Sequence, residues 1–180
     1  MIIVGTIFVA GAYGVGKSTL CEALSLALNV PAYSAGDLIS QVNGEVYGVN
    51  KAVKDKINNQ EILVNEIDRK LKKYPTILLA GHFCIFDKTN GIDKLPRNIF
   101  RRMRIEQILL LEADEERIIY NLNKRDGKKY TNEQIVNLLI EERVAAEQVA
   151  QENNCLLHVH KMAFDESDLD VCVSVLNGGI

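Results

Sequence analysis

The chain has little that would tie it to a membrane, to a metal cluster or to a polyanion. Its 180 residues contain no apolar stretch long enough to span a bilayer. Its apolar beginning has neither a basic leader nor a small-residue cleavage site, so it is expected to be a first strand rather than a signal segment. The four cysteines, Cys21, Cys84, Cys155 and Cys172, stand far apart with no C-x-x-C spacing. They are expected to be reduced, buried thiols of a cytoplasmic protein. Net charge is −3, which argues against a general electrostatic grip on nucleic acid. No internal repeat, low-complexity tract or Pro/Gly linker divides the chain, so residues 1–180 are expected to form one domain. That length buries roughly 70% of the unfolded surface. The composition, 47% hydrophobic and 25% charged, is ordinary for a globular chain.

What is present begins with Gly11-Ala12-Tyr13-Gly14-Val15-Gly16-Lys17-Ser18, which reads G-x-x-x-x-G-K-[ST], the phosphate-binding loop. The apolar run Ile2–Ala10 ahead of it reads as a buried strand. Leu20, Ala23, Leu24, Ala27 and Leu28 behind it recur at helical spacing. Glycines let successive backbone N–H groups turn toward an anion. The following helix points its positive end at the same place. The expected ATP phosphate contacts are Gly14, Val15, Gly16, Lys17, Ser18 and Thr19. Lys17 reaches the β- and γ-phosphates, and the Ser18 hydroxyl serves Mg²⁺.

Further strands are expected at Val30–Tyr33, Thr76–Ala80, Ile105–Glu112 and Cys155–His160. Helices are expected from Gly36, over Asn58–Lys73 and Leu95–Arg104, after Asp114, from Thr131 to about Asn153, and after Asp165 up to Asn177-Gly178-Gly179. Ser34 with Asp37, and Thr131 with Gln134, have capping-box spacing. Gly44 and Gly48 mark a loosely built stretch, and Thr89-Asn90-Gly91 a turn. Five strands alternating with helices give an α/β fold, a parallel sheet with helices on both faces. Ligands of such sheets sit beyond the carboxyl ends of the strands. The phosphate loop, Gly36-Asp37, Gly81-His82 and Glu112 all fall there.

The loop Gly11–Thr19 and the triplet Gly36-Asp37-Leu38 resemble the adenylate kinase group of P-loop kinases. Leu110-Leu111-Glu112-Ala113-Asp114 and Glu142-Arg143-Val144-Ala145-Ala146 are similar to the archaeal-type and ribosome-assembly adenylate kinases. The resemblance implies a three-layer P-loop kinase sandwich and phosphoryl transfer from ATP to a nucleoside monophosphate. It implies an acceptor site at Gly36, Asp37, Gly81 and His82, and a short lid at about 125–131. The chain departs from that group at Ala80, where an acid is expected, and at Ser40, where an arginine often stands. Without that acid, Mg²⁺ would rest on Ser18 and Asp37. The cationic groups expected at the moving phosphoryl are Lys17, Arg125 from the lid and Arg143 from the long helix.

Each assignment has a plainer counterpart. Asp37 reads equally as a capping residue, His82 as a loop-closing hydrogen-bonded side chain, and Arg125 as a helix-end charge. Arg143 reads equally as a surface partner of Glu142 or Glu147. Arg97, Arg101 and Arg104, with Arg102 beside them, read as one helix face, either solvated or a partner site for nucleic acid. Two other functions stay open, a P-loop kinase of another small acceptor and an ATP-dependent assembly or RNA-associated switch. Lys17→Ala is expected to abolish ATP turnover with little change in melting temperature. Oligomeric state is left open.

Overall fold

The computed structural model describes residues 4–44, 56–87, 89, 91–126 and 129–178. The start of the first expected strand, Gly48, Asn90, the middle of the expected lid and Gly179 lie outside the described residues. A five-stranded, all-parallel sheet forms the middle layer, built from β1 (Gly5–Gly11), β2 (Ala32–Ser34), β3 (Thr76–Ala80), β6 (Ile105–Glu112) and β7 (Leu156–Lys161). The spatial order is β2-β3-β1-β6-β7. Every residue of β1 is buried, as a central strand covered on both faces requires.

The helices are α1 (Lys17–Leu28), α2 (Ala35–Asn43), α3 (Lys56–Leu71), α4 (Arg97–Arg102), α5 (Glu115–Asp126), α6 (Asn132–Asn153) and α7 (Ser167–Gly178). α1 and α7 pack together against the sheet, while α4 and α6 contact each other and α6 lies along β1 and β6. Under α4, Phe8 meets Phe83 and Phe100 edge-on, with ring centroids 5.1 and 5.8 Å away. α6 starts where expected. The Thr131 side chain accepts from Gln134 N, and the Gln134 side chain accepts from Thr131 N. For α2 the structure gives the Ser34 half of the expected pair, Asp37 N donating to Ser34 Oγ at 3.4 Å.

Two features differ from the sequence expectation. The turn after Asp87 closes an antiparallel hairpin of β4 (Cys84–Phe86) and β5 (Ile92–Lys94). Its strands of three residues each are too short to show alternation. The Asp87 carboxylate organises the turn by accepting from Thr89 N and Gly91 N. The helix expected over Leu95–Arg104 is shorter, because Pro96 caps it and Arg104 adopts a left-handed φ of 51°. Arg104 therefore lies outside the helix face of Arg97 and Arg101. These arginines are met by acids: Arg97 and Arg101 by Glu152, Arg102 by Glu61, and Arg104 by Asp68.

The four cysteines are unbridged. Burial pushes the thiols of Cys21, Cys84 and Cys172 up to about 12. Among the described residues, no helix is long and apolar enough to cross a membrane.

Candidate active site

β1 ends at Gly11 and α1 begins at Lys17, so the glycine-rich segment is the whole connection between them. Gly14 (φ 77°) and Gly16 (φ 97°) take left-handed backbone that a Cβ would strain. At Gly14 there is also no room. An added Cβ would stand 2.9 Å from Leu122 Cγ and 3.1 Å from the Ile118 carbonyl oxygen. α5 thus backs the loop, and Asn121 Nδ2 donates to the Gly14 carbonyl at 2.9 Å. Val15 is buried and anchors the turn, while Ser18 and Thr19 are exposed in the first turn of α1. The N-cap position of α1 is Gly16, which brings no side chain to the first amides of the helix. Lys17 Nζ folds back over the loop, donating to the carbonyls of Gly11 (2.7 Å) and Ala12 (2.8 Å).

Strand register gathers the other expected residues at the same rim. Val9 pairs with Ala80, Ser34 with Ala80, and Gly11 with Leu111. Gly36-Asp37, Gly81-His82 and the phosphate loop therefore leave the sheet side by side. Asp37 is exposed and Gly36 half-buried. Gly81 N donates to the Val9 carbonyl at 3.0 Å. The His82 ring lies 4.2 Å from Tyr13 of the loop, Tyr13 stacks on Phe86 at 5.8 Å, and Phe86 on Tyr130 at 5.7 Å. A row of rings thus runs from the expected acceptor side to the end of the expected lid. Arg125 occupies the exposed last turn of α5.

Glu142 and Arg143 differ from the surface pair considered above. Adjacent helix residues point about 100° apart, and here one points in and the other out. Glu142 is only 1% exposed. Its carboxylate accepts from Gly11 N (3.2 Å), Phe83 N (2.9 Å) and Cys84 N (2.8 Å). Burial pushes this carboxyl above the usual carboxylate range, against the pull of the Phe83 N–H, the Lys17 ammonium and the N–H groups of Cys84 and Gly11. Arg143 turns outward and grips Glu112 with both arms, at 2.6 and 2.8 Å. That pair walls a cavity of about 230 Å³, shared with Asp114, Leu139 and Lys161. A second cavity of about 460 Å³ separates the hairpin from α6, between Phe86, Ile92, Lys94, Gln134 and Glu141.

The corner after β7 closes the other side of the loop. Asp168 accepts from Ala163 N, Phe164 N and His160 Nε2, at 2.8, 2.7 and 2.7 Å. Burial pushes its carboxyl up, but those donors outweigh it and hold the group below its ordinary value. The corner sets Met162 and Phe164 against Gly16, and Arg117 lies over the Phe164 ring at 4.7 Å.

Tyr13, Arg117, Asn121, Glu142 and Asp168 escape a reading by motif. Tyr13 fills a variable position of the loop pattern. Glu142 did leave a sign, because it interrupts the apolar stripe Leu138, Ala145, Ala146, Val149 at a core-facing position.

The donor set at the loop suits Mg²⁺, which takes one or two carboxylates or hydroxyls and otherwise keeps water and phosphate oxygens. Ser18 and Asp37 are exposed oxygen donors in the first turns of α1 and α2. Among the described residues no group of three or more His, Cys, Asp or Glu is placed to hold a metal.

A family model described as an AAA domain matches residues 10–139. No curated protein matches the sequence. Among solved structures, shikimate kinase from Bacteroides thetaiotaomicron aligns at TM-score 0.60 and 17% identity, covering 97% of this chain and 96% of that one. Shikimate kinase from Acinetobacter baumannii, in complex with shikimate, aligns at 0.63 and 14%, covering 98% and 94%. A gluconokinase from Sinorhizobium meliloti aligns at 0.52 and 12%, covering 99% of each chain. At these identities the likeness establishes the fold, the α/β sandwich of P-loop kinases.

Proposed function

This chain belongs to the AAA domain family, and from that premise we propose that it transfers the terminal phosphoryl group of ATP to a small acceptor, a nucleoside monophosphate. The observation that carries the reading is the loop itself. Two left-handed glycines, a helix start and a lysine held on main-chain carbonyls meet at one turn, an arrangement that suits a phosphate. Phosphoryl transfer asks mainly for placement and for positive charge on the moving group.

In this reading the amides of Gly14–Thr19 cradle the phosphates, and Lys17 exchanges its carbonyl partners for β- and γ-oxygens. Ser18 and Asp37 are the residues that would hold Mg²⁺, which would supply charge neutralisation at the phosphates. The base lies toward the Arg117–Phe164 stack. Arg143, held at the rim by Glu112, and Arg125 are the cations that meet the transferred group. The acceptor sits against Gly36, Asp37, Gly81 and His82. The rings of His82, Tyr13 and Phe86 favour a planar partner, and this supports a nucleobase over a polyol. The cytoplasmic setting belongs to the same proposal.

A second reading, a kinase of a non-nucleotide hydroxyl compound, draws support from Ala80, an apolar residue at the rim where the adenylate kinase pattern expects an acid. The switch reading has less behind it, since acids meet the arginines that motivated it. A coupled ADP-release assay with AMP, CMP, UMP, GMP and the deoxynucleotides tests the first reading. The expected result is stimulation by at least one of them. Background rates with all of them, beside stimulation by shikimate, gluconate or another hydroxyl compound, would transfer the assignment to the second.

A further inference from the structure

One buried side chain joins the two walls of the site. Glu142 reaches Gly11, where β1 becomes the phosphate loop, and also Phe83 and Cys84, the residues directly after Gly81-His82. In sequence it stands 131 residues from the first and 59 and 58 from the others. Gly11 is held from both sides, because its N–H donates to Glu142 and its carbonyl accepts from Lys17 Nζ. Glu142 rides on α6, whose capped start follows directly on the segment expected to be the lid.

A buried carboxylate is a poor way to gain stability, since apolar packing in its place is often neutral or better. What it provides is a fixed geometry. Three N–H donors from two segments converge on its two oxygens.

We infer that Glu142 is a positioning residue, setting the spacing between the nucleotide's wall at Gly11 and the acceptor's wall at His82-Phe83-Cys84. The inference rests on the phosphotransferase reading, which assigns one substrate to each wall. Glu142 touches neither substrate and acts through the backbone it holds.

Amide hydrogen exchange of the full chain, with and without Mg²⁺ and ADP, tests this directly. In the wild type ADP slows exchange at Gly14–Ser18 and also at Phe83 and Cys84. In Glu142→Leu, whose side chain accepts from none of the three N–H groups, ADP slows only the loop. Slowing at Phe83 and Cys84 that is absent in the wild type, or equal in both proteins, overturns the inference while leaving nucleotide binding intact. The wild-type arm holds even if the variant does not fold. No slowing at Gly14–Ser18 sinks the phosphotransferase reading and this inference with it.

Kinetics give the second readout, each protein being assayed well below its own unfolding midpoint with an acceptor found in the ADP-release assay. In Glu142→Leu, kcat is expected to fall by roughly 100-fold, the scale of a misplacement of about an ångström, with the KM for ATP little changed. Wild-type kcat under those conditions would make Glu142 scaffold only.

Discussion

Removing the Lys17 ammonium probes the site and its support together. Lys17 Nζ donates to the Gly11 and Ala12 carbonyls at 2.7 and 2.8 Å. Charge-assisted bonds of this kind contribute about 1.5–3 kcal/mol each when well shielded. Lys17 is half-buried rather than fully shielded, so the pair is discounted to about 2 kcal/mol in all. For a domain of this size that lowers the melting temperature by about 4–8 °C. The stability-neutral Lys17→Ala expected from the motif is therefore revised, because the sequence did not show what the lysine does without ATP. Loss of a cation–phosphate contact weakens ATP by about 10–100-fold, and turnover is expected to vanish. Circular dichroism melts and calorimetric ATP titration measure the two effects. Retained turnover would refute the catalytic role. A melting point unchanged, or lowered far beyond 8 °C, would refute this accounting of the Lys17 hydrogen bonds.

Gly81→Ala would place a Cβ 2.7–2.8 Å from the Phe8 ring, which Phe83 and Phe100 hold in place. It is expected to cost about 1–3 kcal/mol in urea unfolding, and an unchanged midpoint would show that the ring can yield. The Asp168 carboxyl titrates below its unfolded value of about 3.9. Its contribution is complete above that value and is lost as pH falls through the lower folded one. Urea midpoints followed from neutral to acid should show this loss in the wild type and a shallower one in Asp168→Asn. Arg143→Ala should leave the melting temperature nearly unchanged, because its exposed pair with Glu112 contributes about 0–1 kcal/mol. The same change should lower turnover at least about tenfold, and wild-type turnover would restrict Arg143 to the surface pair.

The elements legible in the sequence are those whose cause is local. Thr76–Ala80 and Ile105–Glu112 were bounded correctly because a buried parallel strand is a continuous apolar run. The start of α6 is legible from Thr131 and Gln134, two residues three positions apart that close one motif. The phosphate loop is legible for the same reason. The β4–β5 hairpin was not, since three-residue strands carry no period and only the Asp87 turn shows. The spacing of Arg97, Arg101 and Arg104 reads as helical, and spacing alone does not reveal that Pro96 and a left-handed residue shorten the helix. Glu142 is the instructive miss. A carboxylate beside an arginine reads as a surface pair, and only the arrival of Gly11, Phe83 and Cys84 from distant parts of the chain turns it into a buried hub.

The ring row beside the loop has an optical consequence. The chain has no tryptophan and six tyrosines, so its near-ultraviolet emission is dominated by tyrosine. Two of the six, Tyr13 and Tyr130, stand in the row that joins the loop to the far side of the cleft. The protein carries its own unlabelled spectroscopic probe at the place where a nucleotide would enter.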